Sequence, residues 1–152
     1  MAGITSALCT SFKVELLEGD HDFNNGADAF KVALFKANAS ITGTYSAATT
    51  NYTDMTGNSD ELPASGNYST GGFALTNVNP TSTGTTAFTD FSANASWASA
   101  TFTTRGCMIY NTNDGNSAVA VINFGADYSV SGGTFEIQWP TADSSNAIIR
   151  IA

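Results

Sequence analysis

From Phe73 onward the chain alternates short apolar runs with turn signals, and no run is long enough to build a core-forming helix. The runs are "FALTNVNP", "TAFTDFS", "ATFTTRG", "CMIYN", "SAVAVINFG", "TFEIQWP" and "AIIRIA". Asn79-Pro80, Gly84, Asn113-Asp114-Gly115 and Gly132-Gly133 punctuate them. About seven short strands at this spacing predict an all-β, antiparallel β-sandwich or jelly-roll-like domain. Asp114-Gly115 supplies the positive φ of a hairpin turn. Both faces of "SAVAVINF" are apolar, which predicts a central strand covered on both sides.

The first third is less uniform. Leu8, Phe12 and Leu16 repeat at helical spacing, Ser6 can cap, Leu17 widens the apolar stripe and Gly19 sits where a helix ends, so a short N-terminal helix is expected within residues 5–18. "AFKVALFKA" then reads as a strand with Phe30, Val32 and Leu34 on one face. Residues 38–72 are a long Thr/Ser/Asn/Gly-rich loop, expected to be an interaction arm or a disordered surface excursion. Its Tyr45, Tyr52 and Tyr68, if exposed, are interface anchors, since Tyr buries much area at little entropic cost. Trp97 and Arg105 join them as interface candidates. Phe135, Ile137, Trp139, Ile109, Val119, Val121 and Ile149 are assigned to the core. At 152 residues the chain is expected to be one domain, 1–152.

Charge restricts the partners. Five cations stand against thirteen carboxylates, for a net charge of −8. No basic stripe exists to neutralise phosphates, so no nucleic acid and no anionic membrane surface is expected. No apolar run is long enough to span a bilayer, and the N-terminus lacks the pattern of a secretory signal. Cys9 and Cys107 show no metal-finger spacing; two buried free thiols are the expectation, with a disulfide between them as the alternative.

Chemistry is sparse. His21 is the only histidine, set among Glu18, Asp20 and Asp22 in "LLEGDHDF". One imidazole is a poor zinc set, and the calcium-loop pattern is not matched. A structural turn is the expectation for these polar residues, because they satisfy their own backbone amides, with a cation held by Glu18, Asp20 and Asp22 as the alternative. There is no nucleophile elbow or phosphate-binding glycine loop. Cys107 lies inside an apolar strand, where thiols are inert. No catalytic residue, cofactor or metal is assigned, and the chain is read as non-enzymatic.

The segments "SALCTSFKVELLEGDHDF", "AFKVALFKA", "WASATFTTRGCMIYN", "AVAVINFGADYSVSGGTFEIQWP" and "AIIRIA", around a hydroxyl-rich excursion, resemble a family of small virion structural proteins of tailed bacteriophages. The resemblance covers nearly the whole chain and is densest at 5–36 and 97–151. It implies a non-enzymatic, β-rich particle component, assembled in the host cytoplasm and released by lysis. A capsid decoration or cement protein on the major capsid protein shell is the leading expectation, as a homo-oligomer and specifically a trimer at local threefold positions. A tail, adaptor or fibre-base component is the alternative. A carbohydrate-binding module, with Trp97 beside Asp90 and Asn94, is a reading of a different class.

Overall fold

A computed structural model describes residues 2–152. The chain is mostly β, 46 % strand and 12 % helical. Short strands β1 (Gly3–Ile4) and β2 (Ala7–Leu8) precede helix α1 (Thr10–Glu18). Strand β3 (Phe30–Lys36), β4 (Thr44–Tyr45), helix α2 (Tyr52–Gly57), β5 (Phe73–Ala74), β6 (Thr81–Thr83) and β7 (Thr86–Thr89) follow. The long β8 (Ala95–Asn111), the longer β9 (Ser117–Ile137) and β10 (Ile149–Ile151) complete the chain.

One sheet has the order β2-β9-β8-β3-β5, all its pairs antiparallel. A second antiparallel sheet runs β10-β7-β6, and β1 pairs with β4 in parallel. The four runs expected as separate strands between 95 and 139 are in fact one hairpin of 17- and 21-residue strands. Its turn is the expected one at Asn113-Asp114-Gly115, with Gly115 at φ 52. The apparent breaks are bulges: Thr104 pairs with Tyr128 while Gly106 pairs with Asn123, so residues 124–127 loop out opposite Arg105. Gly132-Gly133 likewise sits at a register shift, not a chain reversal. Bulges insert residues without ending the ladder, which is why glycines inside a strand misread as turns.

Helix α1 ends where Gly19 adopts the left-handed conformation, φ 89, with its amide on the Glu15 carbonyl. Its start differs from expectation: Ser6 lies before β2, and Cys9 occupies the cap position without a side-chain bond. Leu17, expected in the buried stripe, is 90 % exposed. The helix buries only Phe12 fully, among Phe23 and the His21 ring.

Phe30, Val32, Leu34, Ile109, Val119, Val121 and Ile149 are buried in one apolar cluster; Phe135, Ile137 and Trp139 are only half-buried against it. Residues 38–72 are neither an arm nor a disordered excursion. Asn51 caps α2 reciprocally: its Oδ1 accepts from the Thr53 amide, and its own amide donates to Asp54 Oδ2. Ile41, Tyr45, Met55, Leu62 and Tyr68 from this segment all join the core. Gly72, at φ 76, passes so close to β3 that a Cβ would lie 1.9 Å from the Val32 carbonyl oxygen.

Candidate functional site

Chemistry would sit in the polar clusters. Around His21 the partners are not the carboxylates adjacent in sequence. Asp22 Oδ1 accepts from the amide and side chain of Asn24, closing the local turn, while Glu18 and Asp20 are exposed. His21 itself is buried, its Nε2 3.0 Å from Glu15 Oε2 and 4.0 Å from Asp114 Oδ2. These three side chains form the one cluster among the described residues with metal-ligand proximity.

The other side of the ring decides what the cluster fits. Asn111 Oδ1 accepts from the Asn113 amide, and its Nδ2 donates to Asp28 Oδ2 at 2.8 Å. That same Nδ2 faces His21 Nδ1 at 2.9 Å, so Nδ1 must accept and the ring proton belongs on Nε2, toward Glu15. A metal at Nε2 needs the opposite tautomer, with Nδ1 protonated and donating. The donor set therefore fits a hydrogen-bonded structural histidine and not a metal. It ties α1, the loop before β3 and the β8–β9 turn together.

Two carboxylates, Asp60 buried and Glu61 half-buried, hold the 38–72 segment. Asp60 is fully buried and accepts from the Thr42 amide (2.9 Å), the Gly43 amide (2.8 Å) and the Tyr45 hydroxyl (2.6 Å). Burial pushes its carboxyl up, but the Tyr45 hydroxyl and those amides together outweigh it, and the net shift is downward. Glu61 accepts from the Tyr52 hydroxyl, the Tyr68 hydroxyl (2.9 Å) and the Gly71 amide (2.6 Å). The Tyr110 hydroxyl donates to the Gly71 carbonyl, and its ring stacks on Tyr52 at 4.4 Å. Burial first, and Glu61 second, push the Tyr110 phenol up to about 12. Burial likewise lifts Cys9 to about 12, with Glu15 and Asp54 adding to it, so this thiol stays protonated at neutral pH.

These contacts revise the interface candidates. Tyr45 and Tyr68 are buried with their hydroxyls satisfied, and Tyr52 is half-buried, so none is an exposed anchor. Trp97 is only 2 % exposed, packed against Tyr68, Phe73 and Phe135, and offers no platform for a sugar. Asp90 is buried too, accepting from the Phe91 and Ile148 amides. Arg105 lies inside β8 opposite the bulge rather than at a strand end, with Nη1 3.8 Å from Asp127 Oδ1. Neither Cys9 nor Cys107 is in a disulfide, and both are buried.

Several apolar clefts stay open at the surface, and two of them, which sequence reading did not single out, carry the most exposed apolar side chains. The first lies on the outer part of β9. A chain of aromatic contacts runs from Trp97 through Phe135 and Phe124 to Tyr128, with centroid separations of 6.0, 6.2 and 6.1 Å. It surfaces in a cleft of about 270 Å³ lined by Phe124, Tyr128, Phe135, Ile137, Gln138 and a single charged residue, Glu136. Among the described residues no strand pairs the outer edge of β9 beyond Val121. The second cleft, about 410 Å³, lies between α1 and β10 and includes Leu8, Leu16, Leu17 and Ile151. Its charged lining residues are both cationic, Lys13 and Arg150. The signal for the first was the phenylalanine-glycine pair closing "SAVAVINFG"; for the second, it was Leu17 beside the helix-ending glycine. No protein-family model, no curated protein and no solved structure matches this chain.

Proposed function

We propose that this chain is a non-enzymatic structural component of a tailed-bacteriophage particle, a decoration or cement protein seated on the shell of the major capsid protein. The observation that carries the reading is the sequence resemblance, together with where its densest parts fall. Residues 5–36 and 97–151 supply β2, β3, β9 and most of β8, adjacent strands of one sheet, together with α1 and with β10 of the second sheet. A resemblance that falls mainly on mutually paired neighbouring strands is what shared architecture would leave. We read the two antiparallel sheets as the halves of a jelly-roll-like sandwich, an architecture that recurs in viral shells.

The buried polar groups support the same reading. The Asp60, Glu61 and His21 clusters hold loops to the core, and apolar clefts stay open at the surface. That division suits a part whose work is contact. Exposed apolar surface beyond scattered single residues marks sites of association.

The test is to locate the chain in a density map of the intact particle. Copies spread over the whole shell support decoration. A ring of copies at one vertex moves the protein to the tail or its adaptor. Absence from purified particles overturns the virion reading altogether.

A further inference from the structure

We infer that the chain associates with further copies of itself head to tail, the β9 cleft of one copy docking in the α1–β10 cleft of the next. Three of the large hydrophobic side chains left most exposed belong to these two places. Leu17 is 90 % exposed and Ile151 59 % in the α1–β10 cleft, and Tyr128 is 50 % exposed in the β9 cleft.

Charge supplies the pairing rule. Among the described residues, the only charged side chain lining the β9 cleft is that of Glu136, and the only ones lining the α1–β10 cleft are those of Lys13 and Arg150. In a chain with five cations, two of them rim one apolar cleft. Glu136 accepts from the side-chain amides of Asn94 and Gln138, and Arg150 donates one bond to the Ser145 carbonyl. Opposite charges at the rims of apolar surfaces fix register and reject wrong partners. Each copy carries −8 overall, so long-range repulsion opposes indiscriminate clustering and leaves local complementarity to select the contact.

Two alternatives fit less well. A small-molecule pocket needs convergent polar groups inside an apolar wall, and the polar groups here are few in otherwise mostly apolar clefts. Simple strand addition along the β9 edge is hindered by the bulge at 124–127, a device that blunts edges. Side-chain docking of one cleft into the other meets neither objection. Because the two surfaces differ, the contact is heterologous, giving a closed ring if the rotation closes and an open chain if it does not.

This inference does not rest on the virion reading, since it is measured on the isolated chain. Sedimentation velocity and native mass spectrometry on the wild type are expected to show concentration-dependent species larger than the monomer. Leu17→Ser and Tyr128→Ser, both at exposed positions, are each expected to weaken association by roughly tenfold or more. Lys13→Glu and Glu136→Lys should each do the same alone. Mixed together, these two charge variants should associate again, because every contact between unlike copies is then complementary. A wild type that stays monomeric up to about 1 mM overturns the inference. So does a mixture that fails to recover, or loss on Leu17→Ser without loss on Tyr128→Ser, which would mean that one cleft pairs with itself.

Discussion

Replacing Asp60 with Asn tests whether the 38–72 segment is held by a buried carboxylate. The change keeps the volume but replaces one acceptor oxygen with a donor NH₂. Oδ2 faces the Gly43 amide at 2.8 Å and the Tyr45 hydroxyl at 2.6 Å; Oδ1 faces the Thr42 amide and hydroxyl. Either orientation of the new amide therefore sets a donor against a donor. A hydrogen bond to a charged group is worth about 1.5–3 kcal/mol, and an orphaned buried donor costs about 1–3 kcal/mol. Because the Tyr45 hydroxyl can fall back on the Asp54 carbonyl at 3.3 Å, the net loss should be about 2–4 kcal/mol. Equilibrium urea denaturation at neutral pH reads it directly, with an unchanged m-value showing that the unfolded state is not what moved.

The pH profile adds a second readout. Asp60's folded carboxyl is shifted downward, so its stabilisation is present above the unfolded value of about 3.9 and is lost as pH falls through the lower folded value. Asp90 runs the other way. Burial raises it despite the bonds from the Phe91 and Ile148 amides, so its contribution is full below about 3.9 and falls as pH rises through the raised value. The difference between wild type and Asp60→Asn isolates the first effect: it should be large at neutral pH and shrink in acid. A loss below about 0.5 kcal/mol, the usual range for a neutral surface change, would refute the account.

Trp97→Ala should destabilise by about 3–5 kcal/mol in the same denaturation assay, as for a large buried aromatic; a change within experimental error would return Trp97 to the list of surface residues. Zinc added to the folded protein should leave the thermal midpoint unmoved, since the His21 tautomer is set against it, and a saturable rise in the midpoint would show a metal site after all. Gly72→Ala should lower stability by more than about 1 kcal/mol because of its left-handed backbone and the 1.9 Å approach to the Val32 oxygen; an unaltered denaturation midpoint would contradict that approach.

Where residues report on themselves, the sequence was readable. Gly19 ended α1, "FKVALFK" formed β3, and Asp114-Gly115 turned the long hairpin. The failures came where a distant partner decides. Arg105-Gly106, Gly125 and Gly132-Gly133 look like ends of strands, yet β8 and β9 hold each other through them. Tyr45 and Tyr68 sit in polar sequence, but Asp60 and Glu61 accept their hydroxyls and let the rings go inside. Leu17 follows the helical repeat yet stays outside, lining the open cleft between α1 and β10. The histidine lies in the irregular stretch after α1 and not in the turn itself, and its partners Glu15 and Asn111 lie on elements that no local pattern connects to it.

The pairing of β2 with β9 has a consequence in time. Ala7 and Leu8 lie opposite Val121 and Ala120, and the Cys9 amide donates to the Val119 carbonyl. During synthesis these N-terminal residues emerge from the ribosome long before their partners exist. The first segment of the chain is therefore among the last to find its place, and Leu8 and Phe12 wait unprotected until it does. Closure between such distant segments slows folding, toward the range of roughly milliseconds to seconds seen for non-local β domains. Stopped-flow fluorescence of the buried tryptophan would time it, and a microsecond phase carrying the full amplitude would contradict that order of events.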